Sequence, residues 1–333
     1  MNKTLFFCAL SVALSACQTS VDDGRDITDE DREEMSTPLH EAGQYDLYFL
    51  DSIQIEGSAA NRTVNASVCA PADATGELSN EGPFPLVIIS PGAKQSRDEY
   101  MSYCEHLATW GFFVIAQDIV GNSGLFPPAN HKKPAADVSS IIDWATSEEN
   151  PLAAAIDGEA IGVAGHSMGG KVAFLAAAED PRIGAIVGWD PVDANGPFTP
   201  SSSSNWSSVT PQLMPQLTQP IALIGETLNS QGRWFRPACA PADQNFEQFY
   251  DFAEGTALSV DVFGADHMDW TDSGSCSPCS PCGSSEAQQR TQLLTRRLTT
   301  AWFLRHLTGD QSINPEQEMA PELEAGQIAV QSQ

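Results

Sequence analysis

The stretch that decides the fold is AIGVAGHSMGGKVAFLAAAED, residues 160–180. It opens with an apolar run of the length of a buried strand, and residues 168–180 then favour a helix. Between the two lies GHSMG, residues 165–169, which matches the pattern G-x-S-x-G. A serine set between a strand and a helix, with glycines that leave room for a sharp turn, is typical of a nucleophile elbow. The sequence therefore predicts that Ser167 is a catalytic nucleophile.

Strand and helix signals alternate on both sides of this motif. Such alternation predicts an α/β fold with a mostly parallel central sheet and helices on both faces. In that architecture, functional residues gather at the carboxyl ends of the strands. The predicted strands are residues 85–90, 112–118, 160–165, 183–190, 220–226 and 257–264, and the predicted helices are residues 97–111, 135–149, 168–180 and 286–307.

A serine hydroxyl needs a general base, and the base needs an acid to orient it. In this architecture the chain order is serine, acid, histidine. Two of the six histidines follow Ser167. His267 comes directly after a predicted strand, whereas His306 lies among apolar residues inside the last predicted helix. The predicted base is therefore His267.

Three carboxyl groups are candidates for the orienting acid. Asp190 ends one predicted strand, Asp193 follows three residues later, and Glu226 ends the next predicted strand. We favour Asp190 and keep Asp193 and Glu226 as alternatives. Asp266 and Asp269 flank the histidine too closely to reach its far nitrogen easily, so we expect them to be solvated or to stabilise the loop.

Acyl transfer also needs hydrogen-bond donors for the oxyanion. One predicted donor is the backbone N–H of Met168, directly after the nucleophile. The second comes from the loop after the first predicted strand, which reads SPGAK over residues 90–94. Gly92 lets this backbone approach closely, so the N–H of Ala93 is the predicted second donor. Trp189, Met268, Trp270 and Phe126 are candidate pocket residues by position only, and each is equally a candidate for the core or the rim.

Charge restricts the partners of this chain. Its 333 residues include 44 acids and 16 Lys or Arg, a formal net charge of −28. Such a surface repels nucleic acid and anionic lipid headgroups. We therefore expect no nucleic-acid partner, and a neutral or apolar substrate.

The N-terminus predicts export. Residues 1–16 combine Lys3 with a short apolar stretch, typical of a signal peptide, and LSAC at its end resembles a bacterial lipobox. Cys17 would then carry lipid, and Gln18 after it indicates the outer membrane. Residues 17–40 are acid-rich and predict a disordered tether. The predicted catalytic domain covers residues 41–309, and residues 310–333 read as a disordered tail.

The remaining cysteines predict disulfides. An even number of cysteines in an oxidising compartment favours up to three bridges, with the pairing left open. The run CSPCSPC also has metal-ligand spacing, but it offers three ligands where zinc usually takes four, so we expect no metal. The six candidates are Cys69, Cys104, Cys239, Cys276, Cys279 and Cys282.

Several stretches together resemble the chlorophyllases, a branch of the α/β-hydrolase superfamily. They include IGVAGHSMGGKVAFLAA, IVGWDPVDANGP, PACAPADQNFEQFYD and GADHMDWTD, in family order between about residues 84 and 272. The resemblance implies an α/β-hydrolase fold and hydrolysis of carboxylic esters without a cofactor. It maps the family's serine, aspartate and histidine onto Ser167, Asp190 and His267.

The chain also departs from the plant pattern. The plant enzymes have arginine at the position of Met168 and typically an aromatic residue at that of Ala93. The same region resembles, more faintly, bacterial polyester hydrolases and cutinases. A polyester or lipid ester hydrolase is therefore the alternative enzyme, and a non-catalytic surface lipoprotein is the alternative of another class. We expect a monomer.

Overall fold

Nine strands form one sheet in the part of the chain that the structure describes. The computed structural model describes residues 37–124, 128–194, 207–231, 238–275 and 282–333. The strands are β1 (Asp46–Glu56), β2 (Thr63–Ala72), β3 (Phe84–Ser90), β4 (Phe113–Gln117), β5 (Ile156–His166), β6 (Ile183–Trp189), β7 (Ile221–Glu226), β8 (Ala257–Val262) and β9 (Ile328–Ser332). They lie side by side in the order β1-β2-β4-β3-β5-β6-β7-β8-β9.

The centre of this sheet is parallel, which confirms the predicted fold class. Each neighbouring pair from β4 through β3, β5, β6 and β7 to β8 is parallel. The pairs at the two edges are antiparallel. Each of the six parallel strands overlaps one of the six predicted strands, to within two residues at their carboxyl ends. Strands that are covered on both faces need apolar side chains in both directions, which is why these runs are apolar.

Helices cover both faces of the sheet. Leu86 and Ile88 of β3 belong to one core cluster, and Val87 and Ile89 to the other, as expected for side chains that alternate along a strand. The helices are α1 (Met101–Thr109), α2 (Lys132–Ala145), α3 (Met168–Glu179), α4 (Phe246–Asp251), α5 (Gln288–Leu307), α6 (Pro315–Glu318) and α7 (Ala320–Glu324). Side chains of α2 and α3 join the first cluster, and those of α1 and α5 join the second.

The prediction of a disordered C-terminal tail was wrong. Residues 310–333 contain α6, α7 and β9, and β9 pairs antiparallel with β8. Met319 and Ile328 are buried in the second core cluster. Asn314 accepts hydrogen bonds from the backbone at the start of α6. A few buried apolar residues and a capping side chain are enough to order this polar segment, because β8 offers an open edge for pairing.

The predicted tether also ends earlier than residue 40. Leu39 is buried, and its carbonyl oxygen accepts a hydrogen bond from His106 Nε2 at 3.0 Å. Thr37–Gln333 form one structural unit. The predicted leader (residues 1–16), Cys17 and the tether as far as residue 36 lie outside the described residues, so these remain predictions.

Two disulfides are present among the described residues, and both join predicted cysteines. Cys69 of β2 pairs with Cys104 of α1, with their Cα atoms 5.7 Å apart. Cys239 pairs with Cys282, with a Cα–Cα distance of 5.9 Å. Cys276 and Cys279 lie outside the described residues, so a third bridge remains a prediction. Within the described ranges, no helix has both the length and the apolar character needed to cross a bilayer.

Candidate active site

The nucleophile elbow joins β5 to α3 through a strained backbone. Ser167 has φ 55° and ψ −120°, a region that residues with a β-carbon rarely adopt. A β-carbon at Gly165 would lie 2.4 Å from the backbone of Gly169. One at Gly169 would lie 2.1 Å from the carbonyl oxygen of Ser90. The two glycines of the motif are therefore required by close contact between α3, β5 and the loop after β3.

Backbone hydrogen bonds tie this elbow to the neighbouring strand. The N–H of Ser167 donates to the carbonyl of Trp189 at 3.0 Å. The carbonyl of Ser167 accepts from the N–H of Val192 at 3.2 Å. Asp190 lies between these two contacts, directly after β6, and its own N–H donates to Ile224 at 2.7 Å. The predicted nucleophile and the favoured acid are thus positioned by the ends of adjacent parallel strands.

Ser167, His267 and Asp190 form a continuous series of hydrogen bonds. His267 Nε2 lies 2.9 Å from Ser167 Oγ, and His267 Nδ1 lies 2.6 Å from Asp190 Oδ2. Asp190 is fully buried and His267 is 5% exposed. A carboxylate only accepts hydrogen bonds, so Nδ1 carries the proton in the neutral ring and Nε2 is free to accept the serine proton. The arrangement can remove a proton from Ser167.

Asp193, the first alternative acid, has other partners. Its carboxylate forms an ion pair with the buried Lys171 at 3.1 Å. It also accepts the backbone N–H groups of Val209 and Thr210 and the hydroxyl of Ser208. These contacts fix the chain at residues 208–210. Asp193 therefore stabilises local structure in place of orienting the imidazole.

Glu226, the second alternative, has a strongly raised pKa. Burial, with the Asp190 carboxylate as the second cause, raises the pKa of Glu226 to about 9. Its Oε2 accepts the N–H of Asn229 at 2.6 Å, while Oε1 is buried without a hydrogen-bond partner among the described residues. A carboxyl group that is neutral at pH 7 cannot stabilise an imidazolium ion as an anion does.

Asp266 and Asp269 stabilise the loop that carries His267, one of the two roles expected for them. Asp266 Oδ1 accepts the N–H of Gly283 at 3.1 Å. Asp269 accepts the N–H of Ser285 at 2.6 Å and the N–H of Asp266 at 2.9 Å. The two aspartates thus hold the histidine loop against the segment that leads into α5.

A buried chain of hydrogen bonds that the sequence did not predict connects three parts of the site. The N–H of Gly92 donates to Tyr100 Oη at 3.1 Å, and Tyr100 Oη lies 2.8 Å from His166 Nδ1. His166 Nε2 lies 2.8 Å from the carbonyl oxygen of His267. Because that oxygen only accepts, Nε2 carries the proton and Tyr100 donates to Nδ1. Burial, and then the nearby His267, hold the pKa of His166 well below its usual value, which keeps this tautomer neutral.

The loop after β3 lies directly against the nucleophile. A β-carbon on Gly92 would lie 3.4 Å from that of Ser167 and 3.0 Å from His166 Nδ1. Ala93 follows at once, and Met168 begins α3 on the other side of the serine. The two predicted oxyanion donors therefore belong to the two segments that flank Ser167.

Three of the four candidate pocket residues are buried side chains. Trp189 and Trp270 are fully buried and belong to the second core cluster, and Met268 is also buried. Phe126 lies outside the described residues. A cavity of about 470 Å³ borders the loop after β3, with polar side chains that include Asn65, Glu99 and Asp118.

A family model and several curated proteins are similar to this chain. The family model for chlorophyllase matches residues 36–301. Chlorophyllase-1 of Arabidopsis thaliana is 28% identical over 201 residues, which cover 57% of this chain and 60% of the relative. The 2,6-dihydropseudooxynicotine hydrolase of Paenarthrobacter nicotinovorans is 29% identical over 136 residues, which cover 39% of this chain and 35% of that protein. The chain spans 51% to 62% of the length of the curated chlorophyllases that it matches.

Proposed function

The chain belongs to the chlorophyllase family, and we propose that it hydrolyses carboxylic esters with Ser167 as nucleophile, His267 as general base and Asp190 as orienting acid. The observation that carries this proposal is the pair of hydrogen bonds at the imidazole. These are 2.9 Å to Ser167 Oγ and 2.6 Å to Asp190 Oδ2.

In the first half of the reaction, His267 Nε2 takes the proton from Ser167 Oγ as that oxygen attacks the ester carbonyl carbon. The carbonyl oxygen becomes an oxyanion, for which the N–H groups of Met168 and Ala93 are the proposed donors. The imidazolium is stabilised by Asp190. It then gives its proton to the leaving alcohol as the ester C–O bond breaks, and an acyl group remains on Ser167.

In the second half, water takes the place of the alcohol. His267 Nε2 accepts a proton from the water, whose oxygen attacks the acyl carbon. The second oxyanion collapses, the bond to Ser167 Oγ breaks, and the imidazolium returns a proton to that oxygen. A carboxylic acid leaves, and the site regains its starting protonation.

The substrate class is a neutral or apolar ester. The net charge of −28 disfavours anionic substrates by long-range repulsion. Rates on chlorophyll, on short p-nitrophenyl esters, on triglyceride emulsions and on polyester film would rank the family's named substrate against lipid and polyester alternatives. We expect hydrolysis of the short neutral esters, whichever larger substrate is preferred.

The central test uses Ser167→Ala and a fluorophosphonate probe that labels activated serines. The wild type should turn over p-nitrophenyl butyrate and take the label, and Ser167→Ala should do neither while its circular dichroism stays unchanged. Ser259→Ala, which removes a buried hydroxyl from β8, is the matched control and should keep both properties. A wild type that is folded but inert to both reagents would favour the non-catalytic binding lipoprotein.

We also propose that the protein is a bacterial outer-membrane lipoprotein anchored through lipid on Cys17. The support is the leader at residues 1–16 and the lipobox-like LSAC that ends at Cys17. Full-length protein expressed in a Gram-negative host should incorporate labelled palmitate and fractionate with outer membranes. Cys17→Ser should lose the label. Equal labelling of both proteins would rule out this anchor.

A further inference from the structure

We propose that Asn122 is a positioning residue for the oxyanion donor Ala93, a role that rests on the proposed ester hydrolysis and extends it. Asn122 follows β4 and does not touch the proposed triad. Its side chain is 3% exposed and lies under the loop after β3. It therefore acts through the backbone of that loop and makes no direct contact with the reacting atoms.

The amide of Asn122 makes three hydrogen bonds to three residues of the loop, Gly92, Lys94 and Gln95. Its Nδ2 donates to the carbonyl oxygens of Gly92 at 2.8 Å and Gln95 at 2.7 Å. Its Oδ1 accepts the N–H of Lys94 at 2.8 Å. Both donor hydrogens and the acceptor oxygen of the amide are thus used on the loop that contains Ala93.

These contacts fix both peptide groups around Ala93. The carbonyl of Gly92 and the N–H of Ala93 belong to one planar trans peptide, so they point in opposite directions. Holding the Gly92 carbonyl toward Asn122 turns the Ala93 N–H away from Asn122. The Lys94 N–H belongs to the next peptide, so a second bond from Asn122 fixes the other side of Ala93.

The loop needs such a partner because its backbone is unfavourable. Lys94 has φ 66°, a left-handed conformation that costs free energy for a residue with a β-carbon. The same loop presses on the nucleophile, since a β-carbon at Gly92 would lie 3.4 Å from that of Ser167. Small changes in the loop therefore move a proposed oxyanion donor relative to the attacked carbonyl.

A matched control exists elsewhere in the molecule. Asn150 is also 3% exposed, its Nδ2 donates to the carbonyl of Ala145 at 2.9 Å, and its Oδ1 accepts the N–H of Leu152 at 3.0 Å. It holds the turn between α2 and β5, at the opposite ends of the strands from the proposed active site. Removing this amide disrupts a similar set of bonds without touching the oxyanion loop.

The experiment compares Asn122→Ala, Asn122→Asp and Asn150→Ala on an ester and on its thionoester. Sulfur is a poor hydrogen-bond acceptor, so an oxyanion hole accelerates the ester much more than the thionoester. Loss of one well-placed donor costs about 10²–10³ in kcat, so both Asn122 variants should lose at least ~10-fold in kcat on the ester. KM should stay within about threefold, because the lost stabilisation belongs to the transition state. The ester to thionoester rate ratio should fall about tenfold or more for the same reason.

Asn122→Asp has nearly the same volume and keeps an acceptor for the Lys94 N–H, but it loses both donors to the carbonyl oxygens of Gly92 and Gln95. It therefore tests these two hydrogen bonds without the loss of volume that Asn122→Ala causes. Asn150→Ala should lower Tm and leave the rate ratio at the wild-type value. An active wild type whose folded Asn122 variants keep that ratio would refute the role of Asn122 alone. The role of Asn122 would also be refuted if both Asn122 variants failed to fold while Asn150→Ala stayed folded. A wild type without esterase activity or fluorophosphonate labelling would refute the proposed function itself, and this inference with it.

Discussion

Replacing Glu226 by glutamine should make the protein more stable, and increasingly so as the pH rises. Glutamine has the shape of the protonated glutamate, and its oxygen can still accept the N–H of Asn229. In the folded protein, burial and the neighbouring Asp190 raise the pKa of Glu226 to about 9, whereas a free glutamate titrates near pH ~4.3. Between these two values the folded state of the wild type binds one more proton than the unfolded state.

The magnitude follows from that one proton. Below the pKa of Glu226 in the unfolded chain, its stabilising contribution is complete. Above that pKa, and as far as the pKa of the folded state, the free energy of unfolding falls by about 1.4 kcal/mol for each pH unit. Glutamine does not titrate, so it removes this loss. From pH 5.5 to pH 7.5, the free energy of unfolding of Glu226→Gln should rise relative to wild type by about 3 kcal/mol.

The assay is urea unfolding followed by tryptophan fluorescence at pH 5.5, 6.5 and 7.5, with the disulfides intact. The quantity compared is the difference between variant and wild type, because all other titrating groups are common to both. Glu159→Gln changes an exposed glutamate of β5 and serves as the control, with a difference that stays constant with pH. A difference for Glu226→Gln that is equally constant would refute a neutral buried carboxyl at this position.

Three further substitutions test other parts of the site. Asp190→Asn should lower kcat on p-nitrophenyl esters about 10⁴-fold, because the imidazole loses its orienting anion. Glu226→Gln should keep kcat within about threefold of wild type, because that carboxyl is already neutral. Gly169→Ala puts a β-carbon 2.1 Å from the Ser90 carbonyl oxygen, so the elbow must shift, and kcat should fall about 10²-fold. Tyr100→Phe leaves the buried Nδ1 of His166 without its donor and should lower the free energy of unfolding by about 1–3 kcal/mol, as measured in urea.

Each of these has a control in the same chain. Gly184→Ala adds a β-carbon whose nearest neighbours are 3.6 Å away, so it should keep wild-type kcat. Tyr48→Phe removes a hydroxyl from the edge strand β1 and should change stability little. Wild-type rates for Asp190→Asn combined with inactivity of Glu226→Gln would reverse the assignment of the acid. A fully active Gly169→Ala would show that the elbow tolerates the displacement.

The parallel centre of the sheet could be predicted because strands that are buried on both faces are continuous apolar runs in the sequence. Residues 85–90 and 160–165 are continuous apolar runs, and β3 and β5 contain them. The edge strands have a weaker hydrophobic pattern. β1 is exposed or half-buried along DLYFLDSIQIE except at the buried Ile55, and β9 consists of five residues in a polar segment. Their pairing depends on neighbours that are distant in the chain, which local patterns do not contain.

The same distinction applies to the site. A serine in a strand–turn–helix motif and a histidine after a later strand carry local signals, so both could be singled out from the sequence. The acid could not be fixed from residues alone, because two neighbouring strands end in a carboxyl group and only their environment separates them. Tyr100 and Asn122 carry no local signal, since their partners lie in other segments and become neighbours only on folding.

The pairing of Cys239 with Cys282 has a consequence for the biogenesis of this protein. Cys276 and Cys279 precede Cys282 in the chain, so during the proposed export, which would begin at the N-terminus, both thiols would reach an oxidant before the native partner does. Cys69, in contrast, pairs with the next cysteine to emerge. A bond made between Cys239 and an earlier thiol must be exchanged through a mixed disulfide before the native pair can form. Maturation of the segment next to His267 should therefore be faster in a host that supplies a disulfide isomerase than in one that supplies only an oxidase.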